Sequence, residues 1–373
     1  MIPKPSFGDV SAGQANNFDA LRFFLAILVV FSHSVPLTSV AGVDPLEWLS
    51  GGTTYLGDQA VNSFFIISGY LITASWIRSS NLLSYFQKRV LRIYPGFIAV
   101  SLICLLIVGP IGAANVSHYF QDLPLLGSAL NIGLLNKLEN PPVFSYLPYP
   151  DQLNGSLWTI KIEFECYILV AILGMAGILR RRRAIAGLFV ICLLLYTALA
   201  IPSLAAMLPV VQKLARVQSH FQFGAHFLAG AVFYLYRDTI TVSRRFLAIA
   251  SLGLLVAMLA QVLSVFTPFF ATYILFYLAF SSRIKLHNFA KYGDLSYGIY
   301  LYGWPVQLLV AHVFGANIHP YIFFCICLPW VCLAASGSWH LVEKPFLRLK
   351  QSRAVASADT GVQASADRLN SIT

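Results

Sequence analysis

Charged side chains are scarce in this sequence of 373 residues. Asp, Glu, Lys and Arg together make up 11% of the chain, whereas hydrophobic residues make up 58%, and the mean hydropathy is +0.71. Soluble domains usually carry about a quarter charged residues. The composition therefore excludes an ordinary soluble domain and indicates a membrane protein.

Motifs for nucleotides and metals are also missing. The sequence contains no P-loop and no G-x-G-x-x-G in a strand–helix context, which argues against nucleotide hydrolysis and Rossmann-type binding. The six cysteines lie in apolar segments without C-x-x-C spacing, so we interpret them as packing residues rather than zinc ligands. We predict no bound metal and no permanently bound cofactor.

Long apolar stretches are abundant. A helix crosses the hydrocarbon core with about 20 residues, and stretches near this length recur from residue 18 to residue 342. They predict an all-α integral membrane protein, a bundle of about ten transmembrane helices. The predicted spans are 18–38, 58–77, 92–113, 156–178, 184–203, 220–237, 245–264, 267–282, 293–315 and 320–342.

The basic residues orient these spans. They cluster after the even-numbered spans, as in the run 180–183, and again in the C-terminal tail, whereas the opposite loops hold only Lys137, Lys213 and Arg216. The positive-inside rule then predicts that both termini are cytoplasmic. The net charge of +10 is explained by topology, and we predict no nucleic-acid partner because no recognition motif accompanies it.

The chain divides into three predicted parts. Residues 1–17 form a cytoplasmic N-terminal segment, and residues 18–346 form one transmembrane domain without a fixed-period repeat. Within it, 114–155 is a proline-punctuated external loop, long enough to favour a lid or binding surface. Residues 347–373 are polar with little to bury and predict a disordered cytoplasmic tail.

Two ionisable residues share the first span. Arg22 and His33 are eleven residues apart, which on a helix is roughly 16 Å along the axis and within ~20° of one direction around it. A charged residue in a span costs about 2.5–3.5 kcal/mol, so such groups usually face a cavity or a protein interior. Each alone is also consistent with a membrane-end anchor or a packed histidine, but the pair favours a functional face.

The fourth span carries a third candidate. In NGSLWTIKIEFECY, Trp158 is expected at the external interface, and Glu163 lies one and a half turns deeper. Lys161 and Glu165 are four apart and can pair, whereas Glu163 points away from Lys161 and is predicted to have no partner within its own helix. Glu163 is a functional candidate, with a carboxylate reaching to the surface as the alternative.

Two arginines begin the third span. Arg89 and Arg92, in QKRVLRIYPG, are three apart at the predicted cytoplasmic surface, where two guanidiniums can bind phosphates. They are equally consistent with charges that stop translocation. Pro95 is tolerable near a helix start.

Six short patterns, taken in order, closely resemble the membrane-bound acyltransferase-3 family over residues 18–346. They are Asp19, Arg22 and His33; Phe64-Phe65 with Ser68-Gly69-Tyr70; Arg89, Arg92 and Tyr94-Pro95; Leu157-Trp158-Thr159 with Glu163 and Tyr167; Gly293, Ser296-Tyr297 and Tyr300-Leu301; and Glu343-Lys344-Pro345. The resemblance implies a multi-pass protein of the bacterial inner membrane, of the type without a fused hydrolase domain. It also implies transfer of an acyl group, commonly acetyl, from cytoplasmic acyl-CoA as co-substrate to an extracytoplasmic carbohydrate, such as exopolysaccharide or lipopolysaccharide O-antigen.

One position departs from this resemblance. Many relatives carry histidine in the ninth-span motif YL-x-H-x-P, where this chain reads YLYGWP with Gly303. The acid–base role then falls to His33, and position 303 is variable or shapes the acceptor site.

The resemblance and the chemistry together suggest roles. A sugar hydroxyl needs a base, and His33 suits that task because an imidazole titrates near neutrality. Arg22 would steer the donor or stabilise the oxyanion, with Asp19 fixing its rotamer, and Arg89 and Arg92 would hold the CoA phosphates. Glu163 would orient the acceptor or His33. Direct transfer and an acyl intermediate on His33 both stay open. Ser68, Trp158 and Tyr297 are assigned supporting positions, and Tyr297 is expected mainly to pack helices.

Two other functions fit intramembrane charges. A multi-helix transporter of a small anionic or acyl substrate also lines its path with ionisable residues, although it would favour broken helices and internal symmetry. A non-catalytic assembly partner would leave Arg22, His33, Arg89 and Arg92 individually dispensable.

Overall fold

The computed structural model describes residues 5–11, 16–79, 81–200 and 215–348. These residues form helices and connecting segments with no strand, apart from an isolated bridge between Ser6 and Thr241. The predicted all-helical fold is confirmed. The predicted disordered tail lies outside the described residues, except for 347 and 348.

The described part of the chain contains ten long helices, and each overlaps the corresponding predicted span. They are α1 (Phe18–Ser34), α2 (Leu56–Arg78), α3 (Leu82–Ile103), α4 (Trp158–Met175), α5 (Arg182–Ala200), α6 (Gln218–Tyr236), α7 (Arg244–Leu259), α8 (Leu263–Ala279), α9 (Ser296–Phe314) and α10 (Pro320–Ser338). Short π-helical turns extend α3 through Cys104–Val108 and α10 through Trp339–Glu343.

Several helices are suited to a bilayer. Four helical stretches in the described residues are long and apolar enough to cross it, namely Leu56–Arg78, Leu82–Gly112, Arg182–Ala200 and Pro320–Arg348. On α7, Ile249, Leu252, Val256 and Leu259 are between 56% and 68% exposed, an apolar stripe at helical spacing that would face lipid. The chain is a multi-pass membrane protein. The number ten and the cytoplasmic location of both termini stay predictions.

The third helix begins ten residues before the predicted span. Asn81 caps it by accepting a hydrogen bond from the Ser84 N–H at 2.7 Å, and Asn is a favoured N-cap residue. The basic turns containing Arg89 and Arg92 are therefore helical. Pro95 lies inside α3, not near its start as predicted.

The predicted external loop 114–155 contains secondary structure. Short helices span Val116–Asp122 and Leu125–Gly133, and Asn115 caps the first by accepting from the His118 N–H at 3.0 Å. The rest of the segment runs as an irregular strap towards α4. We refer to residues 134–157 as the strap.

Reciprocal glycines let α2 and α6 approach each other closely. A β-carbon on Gly69 would collide with the carbonyl of Phe227, and one on Gly230 would collide with the carbonyl of Ile66. Small residues at such crossings allow close backbone contact in membrane bundles. Because α1 packs on α2, α9 and α10, and α2 also contacts α4, this tight pair forms one wall of the site.

Candidate active site

Two cavities lie along α1, one lined by Arg22 and the other by His33. The first, which we call the arginine cavity, has a volume of about 190 Å³. Its polar lining residues are Arg22, Ser68, Arg92, Thr159, Glu163, Tyr167, Ser296, Tyr297 and Tyr300. The second, which we call the histidine cavity, has a volume of about 650 Å³ and is lined by His33 together with residues of the strap and of α2, α4 and α6.

The sequence prediction that Arg22 and His33 share one functional face needs a correction. The two residues line different cavities, because three helical turns separate them by roughly 16 Å. Val61, Thr159 and Tyr300 line both cavities. Between them, the Thr159 and Tyr300 hydroxyl oxygens are 2.5 Å apart. We call these three residues the partition.

Asp294 holds the two arginines of the arginine cavity together. Its Oδ2 lies 3.2 Å from Nη1 of Arg22 and 2.5 Å from Nη2 of Arg92. Its Oδ1 accepts hydrogen bonds from the Ser296 N–H at 3.1 Å and the Ser296 hydroxyl at 2.5 Å. Asp294 therefore lies at the N-terminus of α9, where the helix dipole favours a negative charge.

A second acidic residue stands behind Arg92. Oε2 of Glu343 is 3.7 Å from Nη1 of Arg92, and Glu343 is only 2% exposed. Sequence reasoning assigned no role to Asp294 or Glu343. The one signal was position: Glu343 opens the E-K-P pattern, and Asp294 lies between the glycine and serine of the G-x-x-SY pattern.

Asp19 lies in the same electrostatic cluster. Its charge interacts with those of Asp294, Arg22 and Arg92. The contact that fixes Arg22 runs to Asp294, so the predicted rotamer-fixing role belongs to Asp294 rather than to Asp19.

Glu163 lines the arginine cavity, not the histidine cavity. Its Oε1 accepts hydrogen bonds from Ser68 Oγ at 2.8 Å and from the Tyr167 hydroxyl at 2.6 Å. The prediction that Glu163 has no partner within its own helix is wrong, because the hydroxyl of Tyr167, one turn later in α4, donates to it. Glu163 lies one turn further along α4 than Thr159 of the partition and lines the arginine cavity without lining that of His33.

Arg89 and Arg92 lie in different surroundings. Arg89 is 7% exposed, donates to the Tyr85 carbonyl at 3.2 Å, and stacks over the Tyr85 ring at 4.5 Å. Arg92 lines the arginine cavity and lies 5.5 Å over the ring of Tyr297. The structure therefore brings Arg92 together with Arg22, not with Arg89 on a shared phosphate-binding surface.

His33 packs against Trp304 at the edge of its cavity. The two ring centroids are 4.9 Å apart with an edge-to-face geometry, and Nδ1 of His33 is buried without a hydrogen-bond partner. Trp304 is itself fixed, since its Nε1 donates to the Gln152 carbonyl of the strap at 2.9 Å. The imidazole is thus oriented by packing and keeps a free nitrogen.

Gly303, the position that departs from the resemblance, faces α1. A β-carbon at this position would come within 2.7 Å of a methyl group of Val30. The close packing of α9 on α1 therefore accounts for the glycine, and the neighbouring Trp304 supplies the ring beside His33.

Two supporting residues have separate positions. Trp158 begins α4, lines the histidine cavity and lies 5.6 Å from the ring of Phe223. Tyr297 lines the arginine cavity and donates to the Ile93 carbonyl at 2.8 Å, which ties α9 to α3. Sequence reasoning also missed three carboxylates of the histidine cavity, Asp44, Glu47 and Asp58.

Comparison with known protein families gives one match over most of the chain. The acyltransferase-3 model, described as an acyltransferase domain, matches residues 16–339. This range contains all the lining residues of both cavities.

Curated relatives agree with that match. An O-acetyl transferase from Shigella phage Sf6 is 26% identical over 345 residues, which cover 90% of this chain and 96% of the relative. Nodulation protein 10 from Rhizobium leguminosarum bv. viciae is 28% identical over 92% of this chain and 96% of its own length. The O-acetyltransferase OatA of Staphylococcus aureus is 24% identical over 91% of this chain, which spans 58% of that protein. No solved structure matches the chain.

Proposed function

The chain belongs to the acyltransferase-3 family, and from that premise we propose that it is a membrane O-acetyltransferase. In this proposal an acetyl group passes from cytoplasmic acetyl-CoA to a hydroxyl of an extracytoplasmic sugar or polysaccharide, such as exopolysaccharide or O-antigen, at a bacterial inner membrane. The predicted acyltransferase enzyme is confirmed by the family, which sets the transporter alternative aside. The O-acetyltransferases of Shigella phage Sf6 and Staphylococcus aureus that resemble this chain support O-acetyl transfer.

The observation that carries the proposal is the pair of cavities with a common partition. A reaction between a donor and an acceptor from opposite sides of a membrane needs two binding spaces that meet at one point. Val61, Thr159 and Tyr300 line both spaces. The guanidiniums lie on one side of this partition and the imidazole on the other.

The arginine cavity suits the thioester end of the donor. Its volume of about 190 Å³ accommodates a small acyl group, and much of its wall is apolar. Arg22 and Arg92 present positive charge there, which would stabilise the oxyanion that forms at the thioester carbonyl. Asp294 fixes both guanidiniums in advance, and such preorganisation is what makes an oxyanion site effective.

The histidine cavity suits the acceptor. His33 would accept the proton of the sugar hydroxyl as its oxygen bonds to the acetyl carbon. The carbon–sulfur bond then breaks, and the CoA thiolate takes up the proton held on His33. The partner-free Nδ1 of His33 supports this assignment. Glu163 would act from the donor side by positioning the hydroxyls of Ser68 and Tyr167.

The CoA phosphates need a site outside the small cavity. Arg89 is buried against Tyr85, so in this proposal it stabilises α3 rather than binding phosphate. Arg92, with Arg22, marks the entrance from the donor side.

The test is mass analysis of surface polysaccharide from cells that lack the protein, complemented with wild type or His33→Ala. We expect wild type to restore an acetyl mass and His33→Ala to fail at equal membrane abundance. His118→Ala is the matched control, since His118 lies exposed on the helix Val116–Asp122 outside both cavities. Full restoration by His33→Ala would refute the base assignment.

A further inference from the structure

The charged lining of the histidine cavity has one sign. Asp44, Glu47 and Asp58 line it, and none of its lining residues in the described part of the chain is lysine or arginine. The sign is opposite to that of the whole chain, whose net charge is +10. The acidic lining is therefore a local property of this cavity and does not follow from the composition of the whole chain.

The three carboxylates are neighbours in the cavity lining, and we call them the acidic wall. Asp58 interacts with the hydroxyl of Tyr55 and with the charge of Asp44, while Glu47 interacts with Tyr55. Asp44 is fixed in place because it accepts from the Ser32 hydroxyl at 2.6 Å and from the Leu56 N–H at 3.1 Å.

No basic side chain neutralises this wall. Among the described residues, no lysine, arginine or histidine forms an ion pair with Asp44, Glu47 or Asp58. The hydrogen-bond donors that reach Asp44 are neutral. The charged groups that this wall presents to the cavity are therefore all acidic.

Aromatic rings also line the cavity, and we call them the aromatic wall. The ring of Trp304 contacts those of His33 and of Tyr149 in the strap, with centroids 4.9 Å and 5.2 Å away. Trp158, the first residue of α4, adds another ring to the lining. Flat aromatic faces pack against the C–H faces of sugar rings, and their quadrupole presents negative potential to the ligand. Neither wall attracts an anion.

We propose that the histidine cavity selects acceptor sugars that carry no anionic group, either neutral sugars or amino sugars. Uronates and phosphate-substituted or sulfate-substituted sugars would be rejected, because like charges in a partly desolvated site repel strongly. Selection by repulsion of the wrong ligand is a common source of specificity. The inference rests on the proposed function, whose acceptor site this cavity is.

The first experiment is a competition assay. Purified protein in detergent receives radiolabelled acetyl-CoA and an equimolar mixture of oligosaccharides of equal length that are neutral, amino-substituted or uronate-bearing. We expect the neutral and amino acceptors to gain label at least about tenfold faster than the uronate acceptor. Equal labelling, or a preference for the uronate, would overturn the inference.

The second experiment changes the wall. In Glu47→Gln/Asp58→Asn, the ratio of uronate to neutral labelling within one reaction should rise about tenfold, and this ratio is independent of overall activity. Asp122→Asn is the matched control, since Asp122 ends an exposed helix outside both cavities. An unchanged ratio in the double variant would contradict the inference.

Single variants keep the test decisive if the double variant does not fold. Glu47 is half-buried on a short helix, so Glu47→Gln should fold and Glu47→Lys should raise the ratio further. The same assays distinguish the proposed function from the proposed selectivity. If any acceptor is labelled and the labelling requires His33, the proposed function is supported whatever the ratio of uronate to neutral labelling. If no acceptor is labelled, both the function and the selectivity are refuted.

Discussion

The arginine and histidine cavities differ in how their charges are compensated. In the first, the two guanidiniums are matched by Asp294 and by the buried Glu343, which come from separate elements of the chain. In the second, none of the three carboxylates has an ionic partner among the described residues. The arginine cavity thus holds a closed electrostatic unit, whereas the carboxylates of the histidine cavity stay available to a ligand.

This difference predicts different responses to mutation. Removing one member of a buried, mutually paired cluster leaves an uncompensated charge, which is strongly destabilising. Removing a charge that has no ionic partner relieves repulsion and changes selectivity instead. We therefore expect substitutions in the arginine cavity to reduce stability, and substitutions of the carboxylates in the histidine cavity to change substrate selectivity.

Asp294→Ala should have the largest effect. It leaves Arg22 and Arg92 facing each other without their shared carboxylate, so we expect a loss of about 3 kcal/mol in the free energy of unfolding. Activity should fall by about 100-fold or more, since the guanidiniums lose their fixed positions. Thermal unfolding in detergent and acetyl transfer measure the two effects.

The control for this variant is Asp238→Ala. Asp238 is 67% exposed and lies 3.7 Å from Arg237, and an exposed ion pair contributes about 0–1 kcal/mol. If Asp294→Ala were as stable and active as Asp238→Ala, the idea of a closed electrostatic unit would be wrong.

Substitutions in the partition should have the next largest effect on stability. Tyr300→Phe leaves the buried Thr159 hydroxyl without its 2.5 Å partner, and we expect a loss of about 1–2 kcal/mol. Thr159→Val should have a similar effect, and the double variant should be less destabilised than the sum of the single ones because the shared hydrogen bond is lost only once. A double-mutant cycle on thermal stability measures this coupling, and strict additivity would mean that the two hydroxyls do not interact.

The sequence predicted the long helices well because apolar length is a local property. All ten predicted spans overlap a helix in the described part. The start of α3 was placed ten residues too late, because the basic turns that begin this helix lack the apolar composition of a span. The cap at Asn81 was the missed signal.

The site was less predictable because its pairings are not local. Helical spacing predicts a common direction for Arg22 and His33, but it cannot show that the partition divides the space between them. Asp294 pairs with an arginine 272 residues away in sequence, and no periodicity connects such positions. Arg89 and Arg92 share a helix, yet tertiary packing buries one and turns the other to the cavity.

Gly303→His tests whether the contact between α1 and α9 tolerates a side chain at this position. The new β-carbon would press on Val30 at the α1–α9 contact, and overpacking of this kind costs about 1–3 kcal/mol. We expect lower thermal stability and no gain in acetyl transfer. Gly303→His/Val30→Ala should recover most of the stability, and a failure of Val30→Ala to help would show that the glycine is required for another reason.

Trp304→Phe should have the smallest effect of the four. The substitution removes the 2.9 Å hydrogen bond from Nε1 to the Gln152 carbonyl, worth about 1 kcal/mol, and keeps an aromatic ring beside His33. Because the tryptophan anchors the strap over the histidine cavity, we expect a weaker apparent affinity for the acceptor with little change in that for acetyl-CoA. Steady-state kinetics with each substrate varied in turn measure this split. An equal change for both substrates would mean that the strap is not specific to the acceptor side, and the contrast between the two cavities would then lose its kinetic support.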